Sequence, residues 1–169
     1  MIVADATPLI HLARAGLVGL LPKLYERVVV PTSVWEEVSD PGEPRPESNV
    51  LRDASGSWLE ARTLPARTRR AAESFVRGAP IGRGEADAIA LAESLRVAVL
   101  MDDRVAVDLA RMGGVETRWT TSVVLEAQRH GMLDRAAARH AVEDLVASGL
   151  WIRQDVLLRI LAALAEEHG

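Results

Sequence analysis

Residues 97–103 read Val97-Ala98-Val99-Leu100-Met101-Asp102-Asp103. Five apolar residues, two of them β-branched, are too few for a buried helix and suit a strand enclosed on both faces. That strand runs directly into two carboxylates. Helical patterns flank it. One runs from Arg83 to Leu95, with Ala86, Ile89, Leu91 and Ala92 apolar, and one from Val105 to Met112, stopped by Gly113-Gly114. Helix, strand, helix is the unit of a parallel sheet.

Outward from this stretch the pattern repeats. Ile2-Val3-Ala4 is a short buried strand ending at Asp5. Thr7-Pro8 is expected to start a helix, with Thr7 as N-cap and Gly16 as its stop, and residues 17–21 make a short turn before Pro22. Val28-Val29-Val30 is a second strand, followed from Pro31-Thr32 by a helix carrying Val34, Trp35 and Val38. Residues 39–49, with Pro41, Gly42, Pro44 and Pro46, read as a loop. Residues 58–61 read as a third strand, 65–76 as an Arg-rich helix and 115–117 as a weak last strand. Helices near 120–129, 133–147 and 153–166 close the chain. The expected fold is α/β, a three-layer α/β/α sandwich with a central, mostly parallel sheet. It forms one domain over residues 1–169, with a helical part from about 120 packed on it.

Composition narrows the chemistry. The 169 residues are 49% hydrophobic and 26% charged, a globular mixture. A formal charge of -4 argues against coating nucleic acid by bulk positive charge. Cysteine is absent, which removes disulfides, thiolate metal sites and cysteine nucleophiles together. No apolar run reaches the ~18–20 residues of a membrane span, and the first residues lack the basic start of a signal peptide. A cytoplasmic protein is expected.

In open α/β sheets, sites form beyond the carboxyl ends of the strands. The acids sit there: Asp5 after the first strand, Asp102 and Asp103 after the 97–101 strand, Glu36 and Glu37 on the helix after the second. Glu85 and Asp87 open the 83–95 helix. Converging carboxylates repel one another unless they take up protons or a cation. With no Cys and no His pair at ligand spacing, the suitable cations are Mg²⁺ or Mn²⁺, ions that serve phosphoryl chemistry. With Val34 at zero and ~100° per residue, Glu37 falls at about 300°, flanking the apolar arc, and Glu36 at about 200°, away from it. Glu37 is therefore the inward acid. The same geometry leaves both Glu85 and Asp87 facing a possible site. One of Asp102 and Asp103 is expected to cap the following helix.

Six arginines, Arg62, Arg67, Arg69, Arg70, Arg77 and Arg83, lie between residues 62 and 83 with only Glu73 against them. Arginine forks suit phosphate, so this segment is a candidate phosphate track leading into the acidic helix. Arg104 is a separate candidate beside the last acids. His11, His130, His140 and His168 form no metal motif. Trp58, Trp119 and Trp151 suit core or interface packing, and the last two suit a homodimer contact. The only lysine, Lys23, precedes the second strand, which disfavours a phospho-acceptor domain.

Four segments, taken together, carry a resemblance. Asp5-Ala-Thr7-Pro-Leu-Ile, Val30-Pro31 with Val34-Trp-Glu-Glu37-Val, Gly84-Glu-Ala-Asp87-Ala-Ile-Ala-Leu-Ala, and Leu100-Met-Asp-Asp103-Arg resemble the PIN-domain family in order and spacing. The nearest branch carries Gly-Glu-Ala-Xaa-Ala-Ile-Ala. The resemblance implies a Mg²⁺- or Mn²⁺-dependent ribonuclease, often the toxin of a toxin–antitoxin pair. Its catalytic acids fall on Asp5, Glu37, Asp87 and Asp103, with Thr7 supplying a hydroxyl, Glu85 an extra acid and Asp102 the alternative to Asp103. An RNA substrate, an antitoxin protein and a homodimer are the partners so implied. Three positions depart from the pattern: Met101 replaces a Thr, Ala106 an aromatic and Trp119 a Gly. They favour an alternative, a non-catalytic member of the fold acting through a protein partner.

Overall fold

The structure, a computed structural model, describes residues 1–40 and 45–165. Among them, five short parallel strands form one sheet: β1 (Ile2–Ala4), β2 (Val28–Pro31), β3 (Leu59–Arg62), β4 (Val99–Leu100) and β5 (Thr117–Arg118), in the order β3-β2-β1-β4-β5. The chain steps outward from β1 to β3, then returns to β4 on the other side of β1. The strand order therefore reverses between β1 and β4, where a parallel sheet opens a crevice. Val3 pairs with Val29 on one side and with Val99 on the other.

The strands bury both faces, and their alternation divides the core in two. Ile2, Ala4, Val28, Val30, Leu59 and Leu100 point to one layer, built from α1 (Ala6–Arg14), α2 (Leu20–Tyr25), α4 (Pro46–Ala54), α8 (Thr120–Arg129), α9 (Arg135–Ala147) and α10 (Gln154–Ala165). Val3, Val29, Val99 and Met101 point to the other, built from α5 (Ala66–Gly78), α6 (Arg83–Leu95) and α7 (Arg104–Met112). The α/β/α expectation is met, with every strand pair parallel. In α6, residues 86–92 are buried without a break, because α5, α7, the sheet and α3 (Thr32–Val38) surround it. Its alanines let these neighbours approach closely.

Four local expectations are corrected. Helix α1 begins at Ala6 with Asp5 in the N-cap position, so Thr7 is not the cap. Helix α2 runs through Pro22, which sits in the first turn, where no helical N–H is needed. Residues 46–54 are helical, with Pro46 at the first position. The strands at the second edge are short: β4 covers Val99–Leu100 rather than 97–101, and β5 Thr117–Arg118 rather than 115–117. Pro41, Gly42, Pro44 and His168 lie outside the described residues. The helical C-terminal part packs on α1 and α2. None of the described helices is long and apolar enough to cross a membrane.

Candidate metal and phosphoryl-transfer site

Asp5 leaves β1 at the point where the strand order reverses, and only 5% of it is exposed. Its side chain makes no N-cap hydrogen bond, so it is not spent on starting α1. Burial pushes its carboxyl up to about 7. The Ala6 N–H opposes that rise, and the charges of Glu85, Glu37 and Asp102 add to it. The carboxyl is thus held close to neutral pH by its dry setting and by three acids from three different segments.

A cleft of about 530 Å³ opens in front of it, lined by Thr7, Ser33, Glu36, Glu37, Arg83 and Glu85, among others. Its floor is Gly84. A Cβ added there would meet Val34 Cγ2 at 3.4 Å, Asp5 Oδ1 at 3.8 Å and Glu37 Oε2 at 3.9 Å. Glycine therefore keeps open the space between the carboxylates of Asp5 and Glu37. Glu37 is the inner acid of its pair, as the helical arc predicts, but Glu36 also reaches the cleft wall. The short α3 leaves both near the opening.

Glu85 and Asp87, inseparable by helical angle, go different ways. Glu85 Oε2 accepts from the Gly82 N–H at 2.6 Å, which caps α6 and holds the carboxylate in the cleft. Burial raises its proton affinity against that bond, and the charges of Asp103 and Glu37 raise it further. Asp87, 7% exposed, accepts a 2.6 Å hydrogen bond from Ser33 Oγ and stands 3.7 Å from Arg83 Nε. It lines the hollows on the α5 side rather than the Asp5 cleft.

The acids after β4 also divide. Asp103 Oδ1 accepts from the Ala106 N–H at 2.9 Å and caps α7, as expected of one of the two. Asp102 takes both donors of Thr120: the N–H at 3.0 Å on Oδ1 and the hydroxyl at 2.5 Å on Oδ2. Burial raises the Asp102 carboxyl, and the two Thr120 bonds oppose it. Thr120 is fully buried and ties the end of β4 to the start of α8. Behind it, His11 Nδ1 lies 2.9 Å from Ser148 Oγ, and burial and Arg14 lower its proton affinity. His11 thus joins α1 to the end of α9 rather than facing water.

The three departures have structural reasons. Met101 is fully buried in the second core layer, among residues of α6 and α7, and so fills space on the far side from the first layer. Ala106 is fully buried at the start of α7 and gives its N–H to Asp103. Trp119 packs against the same core, and its N–H is taken by Ser122 Oγ at 3.3 Å.

Among the arginines, Arg62 is held by Glu60 through two bonds, 3.1 Å from Nε and 2.7 Å from Nη2. Arg69, Arg77 and Arg83 line a groove together with Asp87, while Arg67 and Arg70 are exposed on other parts of α5. Arg104 is exposed at the first position of α7, next to Asp103. The residues that sequence reading passed over are Ser33, Gly84 as a spacer, and Thr120. Their signal was slight: two hydroxyls in first helical turns and one glycine in a helix.

Among the described residues no three acidic or imidazole side chains are gathered tightly enough to grip one ion by themselves. Mg²⁺ does not require that, since it keeps several waters and is often held by one or two carboxylates. An all-oxygen donor set around a buried Asp5, with no side chain at Gly84 to occupy the space beside it, fits such a partly hydrated ion. The PIN-domain family model matches residues 1–166. No curated protein matches the chain. A parallel sheet with acids at its switch point and a family match over almost the whole length lead to one conclusion: the chain belongs to the PIN-domain family, a nuclease-type fold.

Proposed function

We propose that the protein is a metal-dependent endoribonuclease, the toxin component of a toxin–antitoxin pair working in the cytoplasm. The observation that carries this is the Asp5 carboxyl, buried at the switch point and facing Glu37 and Glu85 across Gly84. Asp5 and Glu37 would hold Mg²⁺ or Mn²⁺, with Glu85, Asp102 and Asp103 contributing through water. When bound, the ion polarises a phosphate oxygen and makes water more acidic. Asp5, with its proton affinity near neutral, loses its proton on binding the cation. Thr7, in the cleft wall, and Arg104, exposed beside Asp103, would orient the phosphate. The experiment is cleavage of a labelled RNA with added Mn²⁺, comparing the wild type with Asp5→Asn and Glu37→Gln. Loss in both variants is expected, and full activity in either removes that residue from the site.

A second reading, a non-catalytic member that acts by binding a protein partner, is favoured by one observation. Asp102 and Asp103 both already serve as hydrogen-bond acceptors within the fold. Absence of any Mn²⁺ heat signal in titration calorimetry would favour it.

A further inference from the structure

The cleft at Asp5 does not end at Gly84. Ser33 and Arg83 line it and also line a narrow gap with Thr32, Thr63, Arg69 and Asp87. Arg69, Arg83 and Asp87 in turn line a groove of about 360 Å³ with Glu73, Val76 and Arg77. The three hollows share walls at Ser33, Arg69, Arg83 and Asp87 and lie in a row from the carboxylates past Arg83 to the side of α5.

Helix α5 gives this row of hollows only one face. With Arg69 at zero and ~100° per residue, the lining residues run from Ala72 at about -60° to Arg77 at about 80°; Arg70, at about 100°, sits just past that edge beside Arg77, and Arg67, at about 160°, lies on the far side. Arg67 and Arg70 line none of the three hollows. By what lines the groove, Arg69 and Arg77 stand inside it, and Arg67 and Arg70, of equal formal charge, stand outside it, Arg70 at its edge. At the junction, Asp87 fixes the geometry. It is buried, bonded by Ser33 from α3, and 3.7 Å from Arg83 Nε. It ties Arg83 to the wall that the acid cleft and the groove have in common.

We propose that this row of hollows is the track for the backbone of a single-stranded RNA, with Arg83, Arg69 and Arg77 contacting phosphates on one side of the bond held at Asp5. Asp87 is the positioning residue that sets Arg83. Arg69 and Arg77 are eight residues apart, about 12 Å along the helix axis. A lone phosphate cannot touch both ends of such a row, whereas a polyanion can. Val76, exposed on the groove wall, supplies an apolar contact for a sugar face. Glu73 is the opposing charge on this wall. The direction of the strand rests on the phosphodiesterase reading above, but binding does not.

The test reads binding without cleavage: fluorescence anisotropy of a labelled 2′-O-methyl RNA oligonucleotide in EDTA over a series of salt concentrations. Arg69→Ala/Arg77→Ala is expected to weaken binding about tenfold and to reduce the salt slope by about 1.4, the value for two phosphates on a single strand. Arg67→Ala/Arg70→Ala removes the same charge and is expected to change affinity less than about twofold. Glu73→Gln should tighten binding. Asp87→Asn should weaken it with no further loss when combined with Arg83→Ala, since the two act as a unit. Equal losses from the two arginine pairs would mean diffuse charge alone and overturn the track, as would no loss from either. Because no metal is present, failure of Mn²⁺-dependent cleavage would leave this result standing and count only against the catalytic reading.

Discussion

Asp5 illustrates how one residue couples folding to pH. Its carboxyl is raised from 3.8 to about 7 by burial and by its acidic neighbours. The folded state therefore binds its proton more tightly than the unfolded chain does. The resulting stability is fully present below pH ~4, declines between ~4 and 7, and is lost above. The full swing is on the order of 4 kcal/mol. Urea unfolding in EDTA should thus give a lower midpoint at pH 8 than at pH 5. Asp5→Asn should flatten that dependence and be more stable than wild type at pH 8. Millimolar Mn²⁺ at pH 8 should restore the wild type, because binding to the deprotonated folded form stabilises it, and should not help Asp5→Asn. A wild-type midpoint that rises from pH 5 to pH 8 would contradict the assignment.

Thr120 is the second residue with a measurable role. It gives both its donors to Asp102. Thr120→Val keeps the shape and removes the hydroxyl, leaving Oδ2 of a buried carboxylate without that partner. The expected cost is about 1–3 kcal/mol at neutral pH. Its measurement is the urea midpoint, with a smaller cost at low pH, where Asp102 is protonated.

At the scale of elements, α4 shows why a segment of loop-like composition can be a helix. Glu47 in its first turn is only 7% exposed and is held by Arg14 of α1, with Nε at 2.8 Å and Nη2 at 2.7 Å. Leu51 and Ala54 complete its buried face. Arg14→Ala would remove the bonded guanidinium from this buried carboxylate and leave it only its own backbone N–H and the charge of Arg45, at a cost of about 1–3 kcal/mol. Arg14→Ala combined with Glu47→Leu should recover most of it by thermal melting. In α6 the cleft, not the helix, depends on a missing side chain. Gly84→Ala makes only ordinary contacts, the nearest at 3.4 Å, and removes glycine's helix penalty of up to ~1 kcal/mol. It should melt no lower than wild type. Gly84→Leu would fill the gap between Asp5 and Glu37, and its thermal shift with Mn²⁺ should disappear. A retained shift would place the cation elsewhere.

At the scale of the molecule, the sheet separates two cores, and β4 serves both. Leu100 points to one and Met101 to the other, each fully buried. Leu100→Ala and Met101→Ala should each cost about 2–5 kcal/mol, as measured by chemical denaturation. Met101→Thr should not improve a metal response, because the position belongs to the core. The tail adds a surface of different character: Trp151 is 80% exposed and Leu158 is exposed on α10.

The amino-acid sequence alone determined the layers of this protein, and the reason is periodicity. Strands buried on both faces read as short apolar runs, and helices announce themselves by caps, breakers and 3.6-residue spacing, all local signals. It also placed the acids at strand ends, because chain order is all that requires. Tertiary structure alone decided which acids meet. Glu85 and Asp87 are two residues apart with similar helical angles, and only packing against α3 and α5 sent one to the cleft and the other to Ser33 and Arg83. It decided that Arg69 and Arg77 share a groove while Arg67 and Arg70 do not, that Asp102 belongs to Thr120, and that residues 46–54 fold as a helix. Local bonds, Gly82 to Glu85 and Arg83 to Asp87, take part, but partners distant in sequence, 13 to 54 positions away, bond Arg52 to Ser39, Thr120 to Asp102 and Ser33 to Asp87. No local pattern encodes such a distance, and the charge that looked averaged over an acidic surface is sorted only when the sheet closes.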